Sequence, residues 1–417
     1  MTAADTVQRC PQCSSGLARL AEQPAWCPEC EWNLEERGIP KGKPLKQSQL
    51  RARRRAFDLN RQLIDELSGT LPERPAATRS RLVLLSASVA LLLFDLALFA
   101  GGVYWLIIGP DVLRILGFAL VLIAIECRIR FPKIGFRTGE VTSLDAPQLH
   151  AIVEQARIAV GAPRIDILLI RQDWTASCGR SGLRRRTVLT LGLPLWGSLG
   201  PDARLALLGH ELGHLVNGDP TTAFTTQPAL TTFARLAVIF DPEHVGSRYR
   251  SITEWFFQLV CWPIHRVFVW AHLGLARTAA QDHQRAETYA DALGVRLGGT
   301  AGARELSRVM LFDREARQAA RRAALTDGAD PGAWRSKVQA AVTKPANAVR
   351  TAEQLSLRYQ ASAYASHPPD GLRHRLVASW PTLEPAVQIA ESTFADADRE
   401  LARHYERIRR ALVSTPA

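Results

Sequence analysis

Residues 82–108 read LVLLSASVALLLFDLALFAGGVYWLII, twenty-seven positions with a single charge, Asp95. As a helix rising about 1.5 Å per residue, this run exceeds the roughly 30 Å hydrocarbon core of a bilayer. A helix of that length and uniformity has no good place inside a soluble domain, so a transmembrane span is expected. Asp95 is costly at such depth and is expected to face another helix or protein rather than lipid. Gly109-Pro110-Asp111 breaks the helix. A second apolar run follows at 112–129, with Arg114 near its start able to snorkel back to the interface. The pair reads as a transmembrane hairpin over 81–130.

The flanks give the hairpin a sidedness. Eleven Lys or Arg residues lie between Lys41 and Arg81, including RARRR at 51–55, and Arg128, Arg130, Lys133 and Arg137 follow the second run; the turn has none. By the positive-inside rule both ends face the cytoplasm, and the segment 46–80 reads as a basic linker or amphipathic helix against anionic lipid. A solvated basic helix is the competing reading of that segment. The net charge of +12 alone does not separate lipid, nucleic acid and acidic partners. Residues 1–40 lack the apolar core and cleavage site of a secretory signal. With Cys127, Cys178 and Cys261 isolated, that favours a reducing, cytosolic setting. Cys178 reads as a reactive thiol or, more simply, as a small buried residue.

Residues 10–30 read CPQCSSGLARLAEQPAWCPEC. Cys10, Cys13, Cys27 and Cys30 form two C-x-x-C pairs able to surround one zinc ion tetrahedrally. A module of about forty residues has too little core to fold alone, so the metal would supply much of its stability. The segment 1–45 therefore reads as a zinc ribbon with a structural zinc; redox pairs or disulfides are the alternatives. No interleaved basic and aromatic pattern marks it for nucleic acid. A structural role or a docked protein partner is expected.

Residues 207–219 read LLGHELGHLVNGD. His210 and His214 stand at i and i+4, on one face of a helix, where two imidazoles can hold one zinc ion. Glu211, one step round, can act as general base on a water that the metal acidifies. Pro201-Asp202 supplies a helix start and Asn217-Gly218-Asp219-Pro220 a stop. Two ordinary histidines on a helix are the bland alternative. Downstream, QDHQRAETYADALG at 281–294 places Glu287 and Asp291 four apart. Glu287 is a candidate third ligand, and Asp291 a candidate brace accepting the other N–H of a ligand histidine. On spacing alone, a surface helix with two acidic residues explains them as well.

These stretches, taken with SHPPDGLRHRL at 366–376, resemble the ordered signatures of HtpX-like membrane zinc metallopeptidases and CAAX prenyl endopeptidases. LDAPQLHAIVEQARIAVGAPRIDILLI at 144–170 and TVLTLGLPLWGSLGPDARLALLGHELGHLVNGD at 187–219 resemble that family's lead-in to the metal helix. The likeness covers roughly 130–380; the ribbon lies outside the usual pattern. The resemblance implies a fold that is mostly α with a small β-sheet, a zincin-like α+β peptidase domain over 131–417. It implies a catalytic zinc on His210, His214 and Glu287, with Glu211 as general base and Asp291 behind a ligand. His367 would stabilise the oxyanion with Arg373 supporting it; from the residues alone His367 reads as a loop histidine.

Residues 165–170 and 187–192 read as strands. In zinc peptidases of this type an edge strand pairs with the substrate main chain, and Thr187, Val188, Leu189, Thr190 and Leu191 are the candidate edge. The insert at 221–276 is apolar and Trp-rich, and reads as membrane-associated helices or as soluble helices over the cleft. The last forty residues read as one or two exposed helices. The expectation is a multi-pass protein of the cell membrane, with ribbon and active site on the cytoplasmic side. It would be a zinc endopeptidase acting on polypeptide substrates in or near the membrane. A non-catalytic membrane scaffold working through the ribbon is the alternative, and a membrane-tethered nucleic-acid binder is disfavoured.

Overall fold

The structure, a computed structural model, describes residues 8–20, 24–36, 47–74, 79–128, 139–182, 184–242 and 252–414. Arg130, Lys133 and Arg137, counted above for sidedness, lie outside the described residues. The chain divides into two compact units.

The first unit comprises Met1–Pro75, Ile134–Asn217 and Gln284–Ala417. The ribbon is followed by α1 (Gln47–Leu67), so the basic linker is helical. Then come α4 (Pro147–Val160), β1 (Ile167–Arg171), β2 (Ala176–Ser181), β3 (Arg186–Gly192), α5 (Leu193–Ser198) and α6 (Pro201–Asn217). The later part of α8 (Ile252–Leu311) also belongs here, with α9 (Asp313–Thr326), α10 (Pro331–Val342), α11 (Ala346–Gln360), α12 (Asp370–Ser379), α13 (Glu391–Glu400) and α14 (Ala402–Ser414). The unit is thus mostly helical around one small sheet.

Local sequence explains the main elements. α4 starts on Pro147 and stops at Gly161, whose φ of 68° is open to glycine. Its buried Leu149, Ile152, Val153 and Ala156 form one stripe at helical spacing. α6 also opens on proline, and is buried on nearly every side. Leu205, Leu208 and Leu212 join Leu168, Leu189 and Trp196 in the core, each such leucine contributing roughly 1.5–3 kcal/mol.

The strand order is β1-β3-β2. β3 runs parallel to β1 and antiparallel to β2. This corrects the expectation for Thr187–Leu191: those residues sit in the central strand, with both edges occupied. Among the described residues the outer edge of the sheet is β2. Chain 139–141 covers the far edge of β1, where Val141 N–H donates to Leu168 O at 3.0 Å and Ile170 N–H to Gly139 O at 2.8 Å. The C-terminal residues correct a second expectation. They form two helices, but Phe394, Ala397, Leu401, Tyr405 and Ile408 are buried in the main core rather than exposed. Their Asp398 accepts two hydrogen bonds from the buried Arg204 of α6, at 3.1 and 2.9 Å.

The second unit comprises Ala76–Lys133 and Gly218–His283. It contains α2 (Arg79–Ile108), α3 (Asp111–Cys127), α7 (Asp219–Ile239) and the first part of α8. α2 and α3 form the hairpin expected from sequence. They approach so closely at Gly102 and Gly117 that a Cβ on Gly102 would lie 2.8 Å from Gly117 O. Leu82, Leu93, Phe94, Leu96, Ile107 and Ile115 point outward. Among the described residues two helical stretches are long and apolar enough to cross a membrane, Ser80–Ile108 and the one beginning at Leu259. α3, at 17 residues, reaches about 26 Å. Asp95 Oδ1 is buried with no hydrogen-bond partner in the structure. At the base of the unit Arg81 joins Asp282 at 2.7 Å and Asp219 at 3.7 Å.

Candidate metal centre

α6 carries His210, Glu211 and His214; α8 carries Glu287 and Asp291. The two helices meet backbone to backbone. A Cβ on Gly294 would lie 2.8 Å from Ala206 O, and one on Gly298 only 2.2 Å from Asp202 O. Ala290, Gly294 and Gly298 recur every four residues, one small face turned to α6; the helix kinks at Gly299, whose φ is 68°, and Gly302 beyond the kink still meets Asp202, with a Cβ there 2.5 Å from Asp202 O. This stripe, missed in the sequence reading, is what lets ligands eighty residues apart converge.

His210 Nε2 lies 3.3 Å from His214 Nε2. The Glu287 oxygens lie 3.6 Å from each of those nitrogens. A tetrahedral zinc with arms of 2.0–2.1 Å spaces its ligands about 3.4 Å apart, so the three donors match that geometry. Glu287 Oε2 is buried and has no hydrogen-bond partner among the described residues. A buried carboxylate oxygen of this kind, 3.6 Å from the His210 Nε2 lone pair, is what a bound cation would satisfy.

The surroundings hold this arrangement. Asp291 Oδ1 lies 2.9 Å from His210 Nδ1. Accepting that N–H leaves Nε2 with its lone pair toward the other ligands. Arg373, on α12, donates to both Asp291 oxygens, with Nε to Oδ2 at 2.8 Å. Desolvation works against the Arg373 charge, but Asp291 more than offsets it and raises the guanidinium further above its ordinary range. Arg373 is therefore committed to Asp291 and acts through it. His367, exposed at the rim, donates from Nδ1 to Glu287 Oε1 at 3.0 Å. That bond raises the imidazole above its ordinary value, with desolvation opposing.

Beside the donors lies a cleft of about 170 Å³, lined by His210, Glu211, His367, Leu207, Met310 and Ala176 among others. Glu211 is buried. Ala176, the first residue of β2, and Trp174 and Thr175 just before it form part of the wall. Cys178 is half-buried in β2; burial and the nearby Glu211 carboxylate push its thiol up, so it is no ready nucleophile. In the ribbon, Cys10 and Cys30 Sγ are 3.5 Å apart and Cys13 and Cys27 Sγ 3.4 Å. All four sulfurs lie within 4.8 Å of one another, close to the roughly 3.8 Å edge of a zinc–sulfur tetrahedron.

Two imidazoles and a carboxylate converge so that they could hold a metal ion, with a glutamate beside them in a cleft. Comparison with known proteins supplies the class. The model of peptidase family M48 matches residues 143–380, more than half of the chain, and the chain belongs to that family. It is 24% identical over 159 residues to a protein named "Protease HtpX homolog" from Salinibacter ruber, covering 37% of this chain and 56% of that protein. It is 26% identical over 113 residues to a "Protease HtpX homolog" from Methanothermobacter thermautotrophicus, covering 27% of this chain and 43% of that one. The chain thus spans about half the length of these curated relatives. No solved structure matches it. The matched region includes the metal donors and Arg373; the ribbon, α1 and the α2–α3 hairpin precede it.

Proposed function

We propose that this protein is a membrane-embedded zinc endopeptidase that hydrolyses peptide bonds in membrane or membrane-proximal proteins. The observation that carries the reading is the convergence of His210, His214 and Glu287 donor atoms within 4.8 Å, beside the buried Glu211 and the start of β2. His210, His214 and Glu287 would hold the catalytic zinc, and the four cysteines a structural one. When bound, the catalytic metal supplies Lewis acidity, lowering the pKa of a water and polarising the scissile carbonyl.

The remaining work falls to side chains. Glu211 takes a proton from the attacking water and delivers it to the leaving amine, the two halves of general base and acid action by one carboxylate. His367, at the rim, donates to the oxyanion that develops on the substrate; such a donor contributes about 3–4 kcal/mol where it is well aligned. Arg373 and Asp291 keep His210 in the right tautomer and orientation. The substrate main chain adds to β2, not to β3, and lies extended across the cleft.

The α2–α3 hairpin and the apolar part of α8 would anchor the protein in lipid. The basic flanks of the hairpin put both its ends, and the active site, on the cytoplasmic side. The test is Glu211→Gln in the full chain. It should keep its zinc and lose cleavage of a casein-like substrate; undiminished cleavage refutes the mechanism. Reporter fusions on both sides of residues 82–129 check the sidedness.

A further inference from the structure

The ribbon has no part in the chemistry above, yet its contacts lead back to the metal centre. Trp26 is buried, and its Nε1–H donates to Gln354 Oε1 at 3.0 Å. Gln354 returns a hydrogen bond from Nε2 to Pro28 O at 2.7 Å. Arg358, fully buried, lies with its guanidinium 5.0 Å from the Trp26 ring centre. It donates to Pro24 O at 2.8 Å and to Glu36 O at 2.7 Å. Arg350 pairs with Glu29 at 2.8 Å. Gln354, Arg358 and Arg350 all stand on α11, so the face of the ribbon that carries Trp26 is already occupied by the chain itself.

α11 is bonded in turn to α12. Gly371 N–H donates to Ser356 Oγ at 2.8 Å. Glu353 accepts from His374 Nδ1 at 2.7 Å and from Arg375 Nε at 3.0 Å. The other arm of Arg375 reaches Glu31 of the ribbon at 2.6 Å. Two residues earlier on the same helix, Arg373 holds Asp291, and Asp291 holds His210. The ribbon is thus tied to α12 through Glu31 and Arg375, and the backbone of α12 carries the tie two residues back to Arg373, Asp291 and His210, all within a single compact unit.

We propose that the ribbon is an internal clamp on α11 and α12, and that Glu31 and Arg375 are positioning residues for the catalytic metal site. This rests on the peptidase reading only for which site is catalytic. The ribbon is too small to hold its shape without metal. Loss of that metal would release Trp26 and Glu31 together and leave α12 free to shift. Arg373 then no longer meets Asp291 at a fixed angle, and His210 loses its brace. Removing a partner directly behind a metal ligand lowers metal affinity about 10–100-fold. Arg375 and Glu31 stand two and three steps beyond Asp291, through Arg373, and their loss should lower it less, about five- to tenfold by the same logic.

The experiment uses the full chain in detergent, loaded with Co²⁺ or Zn²⁺. Thiolate charge-transfer bands report the ribbon, and d–d bands with chelator competition report the histidine–glutamate site. Glu31→Gln and Arg375→Ala should weaken the histidine–glutamate site about five- to tenfold while the ribbon keeps its metal, and Arg375→Lys should restore most of the loss. Cys10→Ser with Cys13→Ser should weaken that site at least as much. Unchanged affinity in Glu31→Gln and Arg375→Ala overturns the clamp, and these two variants decide the matter even where the cysteine variant fails to fold. The readout is metal affinity. Absence of proteolysis in the wild-type chain would therefore sink the peptidase reading while leaving the clamp standing, and the reverse also holds.

Discussion

The metal centre depends on how closely α6 and α8 approach, and Gly294→Ala tests that dependence. An added Cβ would lie 2.8 Å from Ala206 O, where an unstrained contact needs about 3.5 Å. Both atoms in conflict belong to helices, one of them backbone, so neither can rotate away. The helices must separate by about 0.7 Å at this level. Ala206 is one turn before His210, and Gly294 is three residues after Asp291. A shift of that size exceeds the roughly 0.5 Å within which a working constellation must be held. The fold itself should suffer less. Overpacking costs about 1–3 kcal/mol, and alanine in place of glycine returns up to about 1 kcal/mol of helix propensity. The expected result is therefore asymmetric: a melting temperature lowered by a few degrees, but zinc affinity at the histidine–glutamate site lowered at least tenfold. Gly274→Ala, which meets nothing within 4 Å, serves as control: it should leave zinc affinity unchanged and, with the same gain in helix propensity and no clash, keep or slightly raise the melting temperature. The assay is thermal unfolding in detergent with and without chelator, together with zinc competition. Wild-type affinity in Gly294→Ala would refute the claim that backbone contact sets the ligand spacing.

Asp291→Ala should lower zinc affinity at the catalytic site about 10–100-fold with the ribbon's zinc retained, measured by metal analysis after graded chelation. Arg204→Leu removes the two hydrogen bonds from the guanidinium to Asp398 but leaves that carboxylate Tyr405 Oη at 2.9 Å and Arg335 at 3.8 Å, and should cost about 1.5–3 kcal/mol, seen as a loss of stability to denaturant; a change under about 1 kcal/mol would show the pair to be dispensable. Because burial and Glu211 push the Cys178 thiol up, its neutral form persists to higher pH than that of an ordinary cysteine. Alkylation of the folded protein at neutral pH should accordingly spare Cys178, as read by peptide mass spectrometry, and labelling at the rate of a free thiol would contradict the assigned environment.

The legible parts of this chain are those whose physics is local. The run at 82–108 has to be a long apolar helix whatever surrounds it. HELGH announces two imidazoles on one face, and CPQC with CPEC announces four converging sulfurs. The illegible parts are those whose role comes from a partner. β2 reads ASCGRS, half-exposed and without period, and becomes a strand only because β3 lies beside it. For the same reason Thr187–Leu191 passed for an edge: a strand's place in a sheet is set by its neighbours, not by its own sequence. α13 and α14 are dense in Glu, Asp and Arg, yet Phe394, Leu401, Tyr405 and Ile408 recur at helical spacing and face inward.

The same distinction explains why the bland reading was weak for the two histidines and strong for Glu287. His210 and His214 share a helix, so their spacing alone makes them a pair. Glu287 becomes a ligand only if α8 is brought against α6, and nothing about a glutamate declares that. What declares it is the row Ala290, Gly294, Gly298, Gly302. Residues 294–302 hold four glycines; Gly299 takes a left-handed φ of 68°, and the other three would each weaken a water-exposed helix by roughly 1 kcal/mol, a cost with no return. They make sense only where another backbone takes the space their side chains would fill. Gly298, with Asp202 O 2.2 Å from where its Cβ would stand, leaves no alternative residue. The strongest sequence evidence for the metal centre therefore lies beside the acidic residue rather than in it.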